Sequence, residues 1–297
     1  MRALVTGGAG FIGSHLVDAL VARGDTVTVL DDLSTGQREH VNRAATLLAH
    51  DVRRPFETDA DVVFHLAAQA DVGTSVKQPA YDAEVNVLGT LNVLEAARAA
   101  EASFVFASTG GAIYGDVDAP AREGDPLGPV SPYGMAKLSA EAYVMGWRRM
   151  HGMRAVVLRF ANVYGPRQSA GLEGGVVSIF FERLAAGLET TIFGDGGQTR
   201  DFVHVSDVVR ALLRAAGNEG GIYNVGTGTE TSVQQLHDMC REISGVDAQP
   251  RYAPPRLGDA RRSVLDVTRA AEKLDWRAQV TLRDGLSSTW RWMREKD

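Results

Sequence analysis

The chain has 297 residues, of which 44% are apolar and 23% charged, and a formal net charge of −6. That length and composition suit an ordinary globular protein with one large domain or two modest ones sharing a cleft, and the acidic balance gives no reason to expect nucleic acid or an anionic membrane as partner. Cys240 is the only cysteine and the seven His show no ligand spacing, so neither an intrachain disulfide nor a metal is expected.

No apolar run approaches the roughly 20 residues that a bilayer span needs. The amino terminus reads as a strand running into a glycine turn rather than as a signal peptide, so a cytoplasmic protein is expected. In chain order, an apolar run at 3–6 meets that glycine turn and then a helix-like segment at 12–23. Strand-like runs follow at 27–30, 47–49, 62–66 and 104–107, with a helix at 85–100 on which Val85, Leu88, Leu91 and Leu94 recur along one side. Buried strands spaced by helices predict an α/β fold with a doubly wound parallel sheet and right-handed crossovers. Beyond Gly- and Pro-rich loops at 115–132 and 165–175, segments 203–216 and 222–225 are expected to return to the sheet. The expected division is interleaved: 1–165 plus about 203–229 form the main domain, and about 166–202 plus 230–297 form a smaller α/β lobe over the carboxyl ends of the strands.

The glycine turn carries the first chemistry. TGGAGFIG, residues 6–13, satisfies both Gly-x-x-Gly-x-x-Gly and Gly-x-Gly-x-x-Gly between a strand and a helix. Gly7, Gly10 and Gly13 allow a tight turn and close approach of a pyrophosphate, which the helix amino terminus favours electrostatically. Asp31 ends the second strand, where a carboxylate accepts hydrogen bonds from an adenosine ribose and repels a 2′-phosphate. Asp32, and no Arg, follows it, so NAD is favoured over NADP. Asp51 and Val52 follow the third strand and face the adenine in this reading. The small residues of His65-Leu66-Ala67-Ala68 let a cofactor lie against the sheet, with His65 read as structural.

Tyr133 and Lys137 lie one helical turn apart on one face. A phenol with a pKa near 10 is a poor base at neutral pH, but an ammonium beside it favours the phenolate. Lys137 can also hold a nicotinamide ribose. Ser108-Thr109, just after the fifth strand, supplies hydroxyls for the reacting substrate oxygen, with Thr109 preferred.

The segments TGGAGFIGSHL, Asp31 to Gly36 (DDLSTG), HLAA, STGGAIYG, SPYGMAK, RFANVYGPRQ, FGDGGQTRDFVHV and YNVGTG span nearly the whole chain. In that order they resemble the extended short-chain dehydrogenase/reductases of the NAD-dependent epimerase/dehydratase family, above all the UDP-glucose 4-epimerases. The resemblance implies a seven-stranded Rossmann domain with tightly bound NAD and a nucleotide-sugar lobe. It places Phe11, Ile12, Asp31, Asp32, Leu33, Ser34, Thr35, Gly36, Asp51, Val52, Leu66, Ala67, Ala68, Gln69, Asn86, Ser108, Lys137 and Phe160 with the cofactor. Asn162, Arg200, Arg256 and Asp259 fall where similar enzymes hold UDP, and Thr109 and Tyr133 where they meet the sugar. It also implies a homodimer packed through helices at about 84–99 and 134–150. One departure is visible: counting back from Tyr114-Gly115, the family's usual catalytic hydroxyl falls on Gly110.

Hydride chemistry at C4 is common to several such reactions. Similarity to the 4,6-dehydratases predicts an Asp-Glu pair after the catalytic Thr, and similarity to the UDP-glucuronate decarboxylases a Glu in the same loop. Here Gly110-Gly111 follows Thr109, and no acid lies between Ser108 and Tyr114. The reading is therefore C4 epimerisation of a UDP-sugar, UDP-glucose/UDP-galactose first, through a 4-keto intermediate. The alternatives are UDP-glucuronate, with Arg167 or backbone N–H groups near Thr109 receiving its carboxylate, and UDP-N-acetylglucosamine, with Ser263 leaving room at C2. Another nucleotide-sugar dehydratase or oxidoreductase is a further alternative. A non-catalytic NAD-binding scaffold or sensor is the contrasting class, and intact Thr109, Tyr133 and Lys137 argue against it.

Overall fold

The computed structural model describes residues 1–171, 175–255 and 260–295. Seven apolar runs become strands of one parallel sheet: β1 (Arg2–Thr6), β2 (Thr26–Asp31), β3 (Thr46–Ala49), β4 (Val62–His65), β5 (Ser103–Thr109), β6 (Ala155–Phe160) and β10 (Gly220–Val225). Their spatial order is β10-β6-β5-β4-β1-β2-β3, so the chain reverses direction across the sheet between β1 and β4, the position at which such folds open a crevice for ligands. This is the doubly wound, Rossmann-like sheet expected from the sequence.

Helices cover both faces. On one side, Leu16 and Leu20 of α1 (Phe11–Ala22) and Val208 and Leu212 of α8 (Val205–Ala215) pack with Val5, Val29 and Leu158 of the sheet. On the other, Val93, Leu94 and Ala97 of α4 (Gly89–Ala99) join Ala140 and Val144 of α6 (Pro132–His151) against Phe104, Phe106 and Val157. The helix expected at 85–100 opens with a π-helical turn, Glu84–Leu88, that runs into α4. Between β4 and that turn lie the short helices α2 (Val72–Lys77) and α3 (Pro79–Ala83), and α5 (Gly110–Ile113) follows β5 directly.

Segment 222–225 takes the edge of the sheet as part of β10, whereas 203–216 returns as a helix. Val205, Val208, Val209 and Leu212 recur at helical spacing, and all four are buried. The residues just before them end β9 (Thr199–His204), the centre of a second sheet made with β11 (Glu230–Ser232), β13 (Arg262–Ser263) and β7 (Asn162–Tyr164). β8 (Thr191–Phe193) pairs with β12 (Arg251–Ala253). The helices α7 (Val176–Ala185), α9 (Val233–Ser244) and α11 (Leu282–Arg294) bury Phe180, Phe181, Leu236, Cys240 and Leu286 together beside these strands, and α10 (Thr268–Lys273) packs on β10. Among the described residues, no helix is long and apolar enough to cross a membrane.

Candidate functional site

A cleft of about 1020 Å³ opens at the switch point, between the carboxyl ends of the parallel strands and the smaller sheets. Its floor is the turn after β1. Gly7 has a φ of +70°, and a Cβ there would stand 2.6 Å from the Ala67 nitrogen, so the turn closes onto β4 only with glycine. Gly10 caps α1 in an extended conformation and offers no side chain to the first-turn N–H groups. Those donors, in a helix that begins beside Phe11 and Ile12 and packs tightly at Gly13, suit a pyrophosphate.

Asp31 is nearly buried at the end of β2 and accepts hydrogen bonds from the backbone N–H groups of Ala9 and Leu33, both at 2.9 Å. Burial raises its pKa, and the two donors pull in the opposite direction. A Cβ on Gly36 would lie 2.9 Å from its Oδ1, so the Asp31 to Gly36 turn folds back tightly over the carboxylate. Leu33, at φ +59°, shapes that turn, while Asp32 accepts from the Ser34 backbone and hydroxyl. Asp51 lines the same end, and its carboxylate is held low in pKa by the Arg53 guanidinium at 2.6 Å. Val52, Leu66, Ala67, Ala68, Gln69, Thr35 and Phe160 complete the expected cofactor wall. Asn86 stands behind it, accepting from the Gln69 N–H and donating to the Gln69 carbonyl. His65 is fully buried between the hydroxyls of Thr6 and Thr90; burial, reinforced by the charge of Lys137, takes its pKa down to about 3, so it is a neutral structural residue.

At the far end of the cleft, α6 presents Tyr133 and Lys137. This helix is well delimited: Ser131 caps it through the Gly134 N–H, Pro132 occupies its first turn, and Gly152 ends it in the left-handed region. Lys137 is almost wholly buried, and its Nζ donates to the Ala107 carbonyl at 3.0 Å. Ser108 also lines the cleft, but its hydroxyl donates to Glu141. Glu141 in turn is paired with Arg159, which reaches on to the Tyr114 hydroxyl, so a buried polar network lies directly beneath the site.

Thr109, Asn162 and Ser263 converge on Gly111. A Cβ there would lie 3.9 Å from Thr109 Oγ1, 3.7 Å from Asn162 Oδ1 and 4.0 Å from Ser263 Oγ. Asn162 Oδ1 is buried without a hydrogen-bond donor, a feature that suits a ligand hydroxyl or amide. Gly110, by contrast, faces the core: a Cβ there would meet both Leu265 methyls at 2.7 Å. A hydroxyl-bearing residue at position 110 would need the Leu265 side chain to move.

Arg200 of β9 lines the cleft together with Arg183 of α7, Arg251 of β12, Phe193 and Gln198, four residues that sequence reasoning did not single out. Arg256 and Asp259 lie outside the described residues. Arg167 is turned to the other lobe, where it pairs with Asp18 of α1 at 2.7 Å, and it does not line the cleft. Among the described residues no cluster of His, Cys, Asp and Glu could hold a metal ion.

Residues 3–226 match the model of the NAD dependent epimerase/dehydratase family. A UDP-glucose 4-epimerase of Mycolicibacterium smegmatis is 47% identical, over 100% of this chain and 99% of its own. Among solved structures, the UDP-glucose 4-epimerase of Thermotoga maritima with UDP-glucose aligns with a TM-score of 0.95 at 46% identity, covering 100% of this chain and 99% of that one. The Thermus thermophilus UDP-glucose 4-epimerase complex with NAD gives 0.92 at 43% identity, covering 99% of each chain.

Proposed function

The chain belongs to the NAD-dependent epimerase/dehydratase family, and from that premise we propose that it interconverts UDP-glucose and UDP-galactose by inverting C4, with NAD as cofactor. The observation that carries the reading is the meeting, in one cleft, of a glycine cradle, the buried Asp31 carboxylate, the Tyr133–Lys137 pair and Asn162, with the Thr109 hydroxyl placed next to Asn162 around Gly111. When bound, NAD supplies a hydride acceptor that takes hydrogen from C4 and later returns it.

Tyr133 removes the 4-hydroxyl proton and later gives it back. Lys137 favours the phenolate and holds the nicotinamide ribose. The Thr109 hydroxyl binds the reacting oxygen, because the Ser108 hydroxyl is already committed to Glu141. Arg200, Arg183, Arg251 and Asn162 line the part of the cleft assigned to UDP, where guanidinium forks match a diphosphate. Binding energy placed on the nucleotide leaves the 4-keto sugar free to turn about its diphosphate link and present its opposite face. With glycines at 110 and 111, the loop between Ser108 and Tyr114 carries no acid for dehydration or decarboxylation. The pairing of Arg167 with Asp18 removes one partner a glucuronate carboxylate would need. Incubation with UDP-glucose deuterated at C4 tests the mechanism: the label is retained at C4 of UDP-galactose, and its loss to solvent would rule the mechanism out.

Asp31→Asn is expected to weaken NAD binding about 10- to 150-fold, because a charge-assisted hydrogen bond to the ribose contributes about 1.5–3 kcal/mol. The same variant gains measurable NADP affinity; calorimetric titration of cofactor-stripped protein reads both, and unchanged NAD affinity would contradict the assignment of Asp31.

A homodimer in the cytoplasm belongs to the same proposal. Leu88, Met135 and Met150, on the adjacent helices at 84–99 and 132–151, are each more than half exposed, a pattern that suits burial against a second copy. Leu88→Asp shifts the mass in light scattering from dimer to monomer; a wild-type monomer would refute this part. The buried free thiol of Cys240, whose pKa burial raises, suits a reducing compartment, which cell fractionation checks.

A further inference from the structure

The ammonium of Lys137 is buried among few partners. Among the described residues it makes one hydrogen bond, to the Ala107 carbonyl, and it rests 4.8 Å above the Phe106 ring. The titratable groups that face it are Asp82 from α3, Glu141 from the next turn of its own helix, His65 from β4 and Tyr133 one turn back. His65 is neutral, and Glu141 is matched by the Arg159 guanidinium, which reaches both of its oxygens. Asp82 is different. It is 1% exposed, and its Oδ1 accepts from Gln69 Nε2 at 2.7 Å and from Asn86 Nδ2 at 3.0 Å. Its Oδ2 is buried without a donor, and among the described residues no guanidinium or ammonium bonds to it.

An asparagine would make both of those hydrogen bonds equally well through its one carbonyl oxygen. The local structure therefore does not call for the negative charge, and burying a carboxylate is costly unless a cation compensates it. α3, which carries Asp82, packs against α6, which carries Lys137, and Asp82 acts on that ammonium more strongly than Glu141 does. We infer that Asp82 is the counter-charge of Lys137, a positioning residue that keeps the ammonium protonated and so keeps Tyr133 ionisable at neutral pH. The inference rests on the roles given to Tyr133 and Lys137 above. Burial takes the Lys137 pKa down to about 8, with Asp82 and then Glu141 opposing the fall. Removing the charge of Asp82 lets it fall further, and deprotonation then begins within the neutral range.

The test is the pH dependence of kcat for the NAD-loaded wild type, Asp82→Asn and Lys137→Arg, with UDP-glucose as substrate. The wild-type rate falls on the alkaline side as Lys137 loses its proton, and Lys137→Arg lacks that limb because a guanidinium does not titrate there. Asp82→Asn moves the limb about one unit towards acid. If Lys137→Arg lacks the limb and Asp82→Asn leaves it in place, or lowers the rate by one factor at every pH, the counter-charge role is overturned while that of Lys137 stands. If the limb persists in Lys137→Arg, the role of Lys137 falls and this inference falls with it. Thermal melts provide a second reading that does not depend on catalysis. Lys137→Met strands the Asp82 charge and lowers Tm, and adding Asp82→Asn restores part of the loss; a double variant no more stable than Lys137→Met overturns the pairing.

Discussion

Tyr133→Phe lowers kcat for the UDP-glucose–UDP-galactose interconversion by about 10²–10⁴-fold and leaves NAD bound. The phenylalanine ring fills the same space on α6 but lacks the oxygen that takes the 4-hydroxyl proton. Hydride departure from C4 without that proton transfer leaves positive charge on the hydroxyl oxygen, and the neighbouring groups are not free to take the proton: Lys137 is a buried cation, and the Ser108 hydroxyl is committed to Glu141. The groups assigned to NAD, the Gly7 to Gly13 turn, Asp31 and Lys137, are all left in place by the change. Steady-state rates together with the NAD content of the purified variant check both halves. Turnover near that of wild type would exclude Tyr133 as the base, and loss of NAD with the change would give the phenol a structural role instead.

Arg159→Met lowers the free energy of unfolding by about 3–5 kcal/mol. Arg159 and Glu141 have side chains only 2% and 3% exposed, and their Nη2 and Oε2 atoms are 2.7 Å apart. Arg159 also donates to Glu141 through Nε and to the Tyr114 hydroxyl through Nη1 at 2.8 Å, and Tyr114 continues to Asn224 of β10. Methionine fills most of the volume but strands the Glu141 carboxylate in a dry layer, with Ser108 as its remaining donor. Adding Glu141→Gln to Arg159→Met removes that stranded charge and recovers part of the loss. Urea unfolding at fixed NAD concentration measures both variants. A loss below about 1 kcal/mol would match an exposed pair and contradict the network as drawn.

The parts of the site that were legible in the sequence are those whose spacing along the chain equals their spacing in space. The glycine turn, the Asp31 that ends β2 and the Tyr133–Lys137 pair each lie within one strand–turn–helix unit, so local rules place them. Arg183 and Arg251 come from α7 and β12, and only the folding of the small lobe brings them to the cleft. In a chain with 31 basic residues, nothing local distinguishes them. Arg159 did carry a signal, since a lone charge in the otherwise apolar strand 155–160 demands a buried partner. That partner is Glu141 of α6, a neighbour set by packing rather than by sequence distance. Motif counting placed the family's hydroxyl position on Gly110 but could not show that Leu265, more than 150 residues later, fills the space there. Arg167 reads as a free cation in the sequence, and its commitment to Asp18 is visible only once the lobe loop lies against α1.

The most direct test of the account is to incubate the purified protein with UDP-glucose, without added NAD, and to separate the products by chromatography. The account predicts UDP-galactose, accumulating to the same equilibrium mixture from either sugar, with no net reduction of NAD. A dehydrated, decarboxylated or net-oxidised product, or no product from protein shown to carry NAD, would contradict it.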